Sequence, residues 1–190
     1  MSTIQILKKE TLSDKKYPLK YVWYEKPDVN GVFHNRENEV YFRPEAVTVL
    51  LVNDQRKTIL LTRQFRLAAF LHGSESGYMV EACAGIMDEN ETHEETARRE
   101  AEEEMGCKIR DLQKIAGAYT TSGASTEFVH FFIARYDEEN RSGKTGGLKE
   151  EGEDIELIET GFDEAREKLK QGAFIDAKTI LLLQHFFLNQ

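Results

Sequence analysis

Glutamate is concentrated in one short segment of this 190-residue chain, GIMDENETHEETARREAEEEMGC at residues 85–107. Seven glutamates fall in the fourteen positions from Glu91 to Glu104. Within the segment, small or apolar residues recur at every fourth position, at Ala97, Ala101 and Met105. This spacing predicts a helix over Thr92–Met105 that packs a thin face on another layer. Gly106 suits the position that ends a helix. The chain must therefore accommodate a helix with a dense row of carboxylates.

Carboxylates three or four residues apart on a helix repel by about 0.2–0.5 kcal/mol per pair. Here only Arg98 and Arg99 oppose them. Glu100 and Glu104 share one face, about 6 Å apart along the helix axis, and Glu103 lies beside them. Converging carboxylates suit hard cations such as Mg²⁺ or Mn²⁺. From composition alone, the alternative is a solvated acidic face, which is common in proteins.

The net charge of −9 is unevenly distributed. Residues 88–104 carry a net −7 and residues 138–156 a net −4, so the rest of the chain is slightly basic. Acidity confined to two segments argues against a generally disordered acidic chain. It also argues against a nucleic-acid partner, since such proteins present a basic surface stripe.

No segment has the features of a targeting or membrane-spanning sequence. The first residues, MSTIQILKKE, lack an apolar run of signal-peptide length, and the runs AVTVLLV and ILLLQHFFL are too short for a bilayer. The two cysteines, Cys83 and Cys107, imply no disulfide framework. These features predict a cytoplasmic protein without a membrane partner.

The chain divides into two predicted domains, 1–45 and 46–190. The first contains the short strand-like runs TIQILKK, LKYVWYE and NEVYFR. A β-unit of about forty residues is marginal alone and needs a partner surface, from the main domain or from another subunit. The second domain alternates buried strands with helices, which predicts an α/β fold.

Patterns in the main domain predict strands at 46–53, 57–65, 78–83, 127–136 and 154–159. After the acidic helix, a helix is predicted over 162–171, and Asp176 is a candidate N-cap for the final helix. Residues 137–153 form a long glycine-rich loop, and loops of that length are usually functional or disordered.

The acidic segment follows the Nudix signature: Gly, five residues, Glu, seven residues, Arg-Glu, an aliphatic residue, any residue, Glu-Glu, any residue, Gly and an aliphatic residue. The matching residues are Gly85, Glu91, Arg99, Glu100, Ala101, Glu103, Glu104, Gly106 and Cys107. Ala101 and Cys107 are smaller than usual, which affects packing rather than metal binding. The chain thus resembles the Nudix hydrolases.

This resemblance implies an α/β/α sandwich with a mixed sheet, preceded here by a small N-terminal β-sheet unit. It implies hydrolysis of a nucleoside diphosphate linked to another group, by water attack on phosphorus. Mg²⁺ is the implied cofactor, with Mn²⁺ as a substitute. The implied metal ligands in the signature are the Ala84 carbonyl, Glu100, Glu103 and Glu104. Arg99 would hold the glutamates by ion pairing.

Similarity extends to the ADP-ribose and sugar-nucleotide pyrophosphatase branch of the family. It is carried by RQFR at 63–66, ESGYMVEACAGIMD at 75–88, TEFVHFF at 126–132 and EEGEDIE at 150–156. STEFVHFFIA and DAKTILLL resemble the bacterial GDP-mannose pyrophosphatases most. In that branch the N-terminal strands exchange between the subunits of a homodimer, and both chains line each pocket. A homodimer would supply the surface that residues 1–45 need.

The second acidic segment acquires a role from the same resemblance. By match to EEGED, Glu153 would complete the metal site, and Glu151 is the candidate base that activates water. A loop suits a residue that closes over bound substrate. The alternative for the whole cluster is a solvated loop.

Further residues match positions that contact substrate in the resembling branch. Arg66 could bind phosphate through two hydrogen bonds, and Lys178 could reach the sugar phosphate. The full set of candidates is Tyr17, Glu37, Glu39, Arg66, Gly85, Glu127 and Lys178. For these side chains, surface ion pairs and edge-strand positions are the competing interpretation. His130, Trp23 and Tyr24 are predicted to pack rather than bind ligand.

The leading hypothesis is Mg²⁺-dependent hydrolysis of GDP-mannose to GMP and mannose 1-phosphate. The alternative is the same chemistry on ADP-ribose, which gives AMP and ribose 5-phosphate. Ser122 stands where the ADP-ribose hydrolases commonly carry proline, and the GDP-mannose enzymes often carry it too. This difference weakens the ADP-ribose alternative slightly and leaves GDP-mannose as the leading substrate. A nucleotide-sensing module without turnover is a remote alternative, because every glutamate of the signature is retained.

Overall fold

The computed structural model of the chain describes residues 3–142 and 155–190. Its strands are β1 (Gln5–Ser13), β2 (Leu19–Pro27), β3 (Phe33–Tyr41), β4 (Ala46–Asn53), β5 (Thr58–Phe65), β6 (Tyr78–Glu81), β7 (Cys83–Ile86), β8 (Arg110–Tyr119), β9 (Phe128–Arg135) and β10 (Glu156–Gly161). Its α-helices are α1 (Leu67–Leu71), α2 (His93–Met105), α3 (Phe162–Lys170) and α4 (Ala177–Leu188). A 3₁₀ turn covers Glu138–Asn140.

The chain forms two compact units. The first comprises residues 1–45 and 119–128, and the second comprises residues 46–118 and 129–190. Residues 119–128 join the first unit through backbone hydrogen bonds, from Tyr41 N to Ala124 O and from Thr126 N to Tyr41 O. The sequence patterns did not indicate this return of the chain.

The first unit is a three-stranded antiparallel sheet in the order β1-β2-β3. The Tyr21 and Trp23 rings meet edge to face at 4.6 Å, and the Tyr24 hydroxyl donates to Asn38 Oδ1. Trp23 and Tyr24 therefore take part in packing within the sheet, as the sequence predicts. Several large apolar side chains of this unit are exposed, namely Ile4, Ile6, Leu7, Leu12, Val32 and Phe33.

The second unit is built on a mixed sheet in the order β10-β5-β4-β9-β8, with β6 beside β5 and β7 beside β4. Strands β4 and β9 run parallel, whereas β5 is antiparallel to both β4 and β10. Every residue of β4 is buried. A central strand covered on both faces needs such a continuous apolar run, which explains why the sequence locates β4 correctly.

Alternate residues of β4 enter two separate cores. Leu50 and Val52 pack with side chains of α3 and α4, whereas Val49 and Leu51 pack with side chains of α2. Successive side chains on a strand point to opposite faces, so helices cover both faces of the sheet. The predicted α/β/α sandwich with a mixed sheet and a small N-terminal sheet is confirmed.

Three details of the second unit differ from the sequence prediction. The run YMVEAC divides into β6 and β7, because the Ala82 N–H between them donates to Thr179 Oγ1 instead of a neighbouring strand. Strand β8 was not predicted, since it is largely exposed and lacks a regular apolar alternation. Helix α1 has five residues, too few to show a helical period.

Within the described ranges, no helix has the length and apolarity needed to span a bilayer.

Candidate active site

Helix α2 begins and ends through local interactions that its sequence encodes. Thr92 Oγ1 accepts a hydrogen bond from Glu95 N at 3.2 Å, and Glu95 Oε2 accepts one from Thr92 N at 2.8 Å. This reciprocal pair is a capping box. Gly106 ends the helix in the left-handed conformation, with φ of 63°. Its residues Ala97, Ala101 and Met105 face the core, while Glu100 and Glu104 lie against β7.

Arg99 links the glutamates of this helix and of the preceding loop. Its Nε lies 2.9 Å from Glu91 Oε1, and its Nη1 lies 2.8 Å from Glu100 Oε1 and 2.9 Å from Glu103 Oε2. Its Nη2 donates to the Ile86 carbonyl at 3.1 Å. The hydrogen bonds from Arg99 lower the pKa of Glu91 to about 2, against the effect of partial burial. One guanidinium thus offsets the repulsion among three carboxylates.

Gly85 gives the carboxylate of Glu100 room to lie against β7. A Cβ at this position would fall 1.8 Å from Glu100 Cδ and Oε1. Glu104 is 3% exposed, and its Oε2 accepts a hydrogen bond from Ala84 N at 3.3 Å. Antiparallel pairing with β4 places Ala84 opposite Thr48 and fixes this short strand. The β7 backbone and two glutamates therefore form one compact site.

The chemistry of these donors fits a divalent cation. Glu100, Glu103 and Glu104 offer carboxylate oxygens, the ligand type that Mg²⁺ and Mn²⁺ prefer. The Glu104 carboxylate is almost fully buried, and a buried charge is costly unless a cation or hydrogen bonds compensate it. A cation among these side chains would add to the charge compensation that Arg99 provides. The site can therefore hold a divalent metal.

Arg66, at the start of α1, contacts a second buried carboxylate, Glu81. Its Nε lies 3.2 and 3.1 Å from the two Glu81 oxygens, and its Nη2 lies 2.6 Å from Oε2. Burial lowers the pKa of Arg66, but the Glu81 hydrogen bonds and charge outweigh it, and Glu104 and Asp176 add to the upward shift. Arg66 is thus held firmly within the electrostatic reach of the α2 glutamates.

Lys178 and its neighbour Asp176 lie at the start of α4. Lys178 Nζ is 2.6 Å from Asp176 Oδ1, and Asp176 caps the helix through Thr179. The sequence analysis predicted Lys178 as a substrate contact, which stays a prediction, and Asp176 as the helix cap, which the structure shows. It did not identify the ion pair between them, nor the role of Glu81. A lone glutamate in the apolar run YMVEAC was the available signal for Glu81.

The remaining described candidates lie in the first unit. Glu127 Oε1 is 2.7 Å from Arg43 Nε, and the Arg43 guanidinium lies 4.9 Å from the centre of the Tyr17 ring. Glu37 and Glu39 are exposed on β3, opposite Trp23 and Tyr21 of β2. A hydrogen bond to Glu37 raises the pKa of Tyr21.

Two predicted site residues, Glu151 and Glu153, lie outside the described residues. The structure therefore groups Ala84, Gly85, Arg99, Glu100, Glu103 and Glu104 in one site of the second unit. Arg66 and Lys178 belong to the same unit, and Tyr17, Glu37, Glu39 and Glu127 belong to the other.

Comparison with known proteins finds relatives that match nearly the whole chain. The chain is 40% identical over 186 residues to the GDP-mannose pyrophosphatase of Cronobacter sakazakii (strain ATCC BAA-894), which covers 98% of this chain and 96% of that protein. It is also 40% identical over 182 residues to the GDP-mannose pyrophosphatase of Escherichia coli (strain K12). This match covers 96% of this chain and 94% of that protein.

A solved structure described as the crystal structure of an ADP compounds hydrolase shares the fold, with a TM-score of 0.72. It is 22% identical and covers 95% of this chain and 90% of that chain. The model of the NUDIX domain matches residues 42–183. This chain belongs to the Nudix family.

Proposed function

We propose that this protein is a Mg²⁺-dependent pyrophosphatase of nucleotide sugars, which hydrolyses GDP-mannose to GMP and mannose 1-phosphate. The reaction class is supported by one observation, the cluster of glutamates that Arg99 holds together beside β7. The substrate is supported by the GDP-mannose pyrophosphatases to which nearly the whole chain is 40% identical.

In the proposed reaction, water attacks one phosphorus of the pyrophosphate and the bridging P–O bond breaks. The water oxygen stays on the attacked phosphate, and the bridging oxygen leaves with the other phosphate. Glu151 takes the proton of the water. The divalent metal, when bound, neutralises the phosphates and makes water more acidic. The Ala84 carbonyl, Glu100, Glu103, Glu104 and Glu153 would hold it.

Other side chains position the substrate. Arg99 keeps the glutamates apart and oriented, because each of its donors is directed at a different acceptor. Arg66 donates to Glu81 from Nε and from one hydrogen of Nη2. The other hydrogen of Nη2 and those of Nη1 lie on a different edge of the guanidinium, which can face a phosphate. Lys178 would add a second positive charge. Gly85 would lie beside the substrate, with the Glu100 carboxylate in the space that a side chain at this position would take.

Among the candidates of the other unit, Tyr17, Glu37 and Glu39 are the proposed contacts to nucleotide and sugar. Glu127 is the residue proposed to act near the metals or the phosphates. We also propose a cytoplasmic homodimer with exchanged N-terminal strands. The exposed apolar side chains of β1, such as Ile6 and Leu12, support this assembly, because they need a covering surface.

Turnover of a substrate panel tests the proposed function. The panel contains GDP-mannose, GDP-glucose, ADP-ribose and ADP-glucose, each with Mg²⁺, and the measured quantity is kcat/KM. GDP-mannose should give the highest value. A tenfold preference for ADP-ribose would replace the substrate with the alternative one, and binding without hydrolysis of any compound would indicate a nucleotide-sensing module.

A further inference from the structure

Both cations that we assign to substrate binding in the second unit contact buried carboxylates. Glu81 is 2% exposed beneath Arg66, and Asp176 is 7% exposed beneath Lys178. A carboxylate placed directly in a phosphate site would repel the substrate. Behind a cation, however, it fixes that cation's position while leaving donors for a ligand. An ammonium has three donors, so Lys178 retains two after its bond to Asp176.

The two oxygens of Asp176 have separate partners. Oδ1 accepts from Lys178 Nζ at 2.6 Å. Oδ2 accepts from Thr179 N at 2.9 Å and from Thr179 Oγ1 at 2.7 Å. Capping the helix requires one side-chain oxygen, which a serine or an asparagine could provide equally well. The cap therefore accounts for Oδ2, and the hydrogen bond from the Lys178 ammonium accounts for Oδ1 and favours a charged acceptor there.

Thr179 extends this network to the metal-binding strand. Its Oγ1 accepts a hydrogen bond from Ala82 N at 2.8 Å. Ala82 directly follows Glu81, and two residues later Ala84 contacts Glu104. Asp176 thus fixes the start of α4 against the junction of β6 and β7. Lys178 is thereby placed relative to the carboxylate site within one unit.

Stability alone does not explain this arrangement. The side chains of Lys178 and Asp176 are 22% and 8% exposed, so both charges are largely removed from water. The desolvation cost of such a pair often equals or exceeds its attraction. A protein with a neutral capping residue at position 176 should fold as well as the wild type. The ion pair is therefore better explained by a functional role of Lys178 than by a contribution of the pair to the stability of the fold.

We propose that Asp176 is a positioning residue for the hydrolysis, which holds the Lys178 ammonium in place for a substrate phosphate. This inference rests on the proposed function. It assigns Asp176 no contact with the reacting atoms. Its effect should pass mainly through Lys178, its hydrogen-bonded partner, because Asp176 acts on Arg66 only through its charge. A double-mutant cycle tests this inference.

The first variant is Asp176→Asn. The asparagine oxygen keeps the cap to Thr179, whereas its amide nitrogen, a donor, would face the Lys178 ammonium. We expect KM for GDP-mannose to rise about tenfold, on the order of one charge-assisted hydrogen bond, with kcat changed less than about threefold. Asp176→Ser, whose hydroxyl also caps, should give the same increase and guards against misfolding of the first variant.

The second variant is Lys178→Met, alone and combined with Asp176→Asn. If Asp176 acts through Lys178, the double variant should have the KM of Lys178→Met alone. Independent, purely structural effects would multiply, and that result would overturn the inference. Glu164→Gln is the matched control, because Glu164 forms a 2.7 Å pair with Lys168 on the exposed face of α3. It should leave KM unchanged.

Calorimetry with inorganic pyrophosphate and Mg²⁺ separates this inference from the proposed function. Pyrophosphate affinity should fall in Asp176→Asn and Lys178→Met, and no further in the double variant. A wild-type protein that binds pyrophosphate in this pattern but hydrolyses no nucleotide sugar would refute the function and support the positioning role. Unchanged KM and pyrophosphate affinity in folded Asp176→Asn and Asp176→Ser would refute the positioning role.

Discussion

At the scale of single residues, the site depends on how much carboxylate charge a few groups can offset. Arg99 donates hydrogen bonds to Glu100 and Glu103 of α2. Glu104 is buried against the Ala84 N–H. Arg99 was predicted to hold the glutamates because its position in the signature is fixed. The approach of Glu100 to Gly85 required the structure, since it depends on the pairing of β7 with β4.

Neutralising Glu104 tests whether these carboxylates bind metal. In Glu104→Gln, the amide oxygen can still accept from Ala84 N, so the shape of the site is kept. We expect turnover to fall by orders of magnitude. The metal-free protein should be as stable as wild type or more stable by about 0.2–0.5 kcal/mol, because one repulsive charge is lost. Turnover and thermal denaturation with and without Mg²⁺ measure both effects.

Mg²⁺ should raise the Tm of wild type more than that of Glu104→Gln, since a ligand stabilises only the state that binds it. Glu102→Gln is the control, because Glu102 is exposed on the same helix. It should retain wild-type turnover and the full Mg²⁺ response. Near-normal turnover in Glu104→Gln would contradict the metal assignment.

At the scale of elements, prediction succeeded where a segment's own residues determine its structure. Strand β4 is buried throughout and apolar at six of its eight positions. Helix α2 carries its cap, its apolar period and its terminal glycine in its own sequence. Prediction failed where distant partners decide. The division of YMVEAC depends on Thr179, almost a hundred positions along the chain, and the edge strand β8 has too little burial to show a pattern. For the same reason, Glu81 and Asp176 were recognisable as site residues only in three dimensions.

The attachment of α2 to its preceding loop should depend on pH. Arg99 lowers the pKa of Glu91 from its ordinary value of 4.5 to about 2. A carboxyl with a lowered pKa stabilises the fold above its unfolded pKa, and this contribution is lost as pH falls through the folded value. Glu91→Gln should therefore reduce the free energy of unfolding at pH 7 by about 1 kcal/mol, a value limited by solvent screening.

The difference in stability between wild type and Glu91→Gln should shrink as pH falls from about 4.5 to about 2. Urea denaturation at a series of pH values measures it. Glu89→Gln is the control, because Glu89 is exposed in the same loop. Its stability should follow wild type at each pH. A constant difference for Glu91→Gln across this range would show that the ion pair with Arg99 does not stabilise the fold.

At the scale of the whole molecule, the two units differ in how completely they bury their apolar residues. The second unit has a core on each face of its sheet. The first unit buries little: among its large apolar residues, Val22 is buried, whereas Ile6 and Leu12 are 51% and 47% exposed. A three-stranded sheet needs a packed apolar face for independent stability, and this unit packs little of its apolar surface. The sequence predicted this deficit from the length and patterning of residues 3–42.

We expect the protein to sediment as a homodimer at micromolar concentration, with β1 in the interface. Burying one large apolar side chain contributes about 1.5–3 kcal/mol, so a buried charge at that position should weaken association at least tenfold. Ile6→Glu and Leu12→Glu should therefore shift sedimentation toward monomer and lower turnover with it. Thr11→Glu, at an exposed polar position of the same strand, should remain dimeric and active. A wild-type protein that sediments as a monomer at this concentration would contradict the proposed homodimer. It would also contradict the substrate contacts proposed for Tyr17, Glu37 and Glu39.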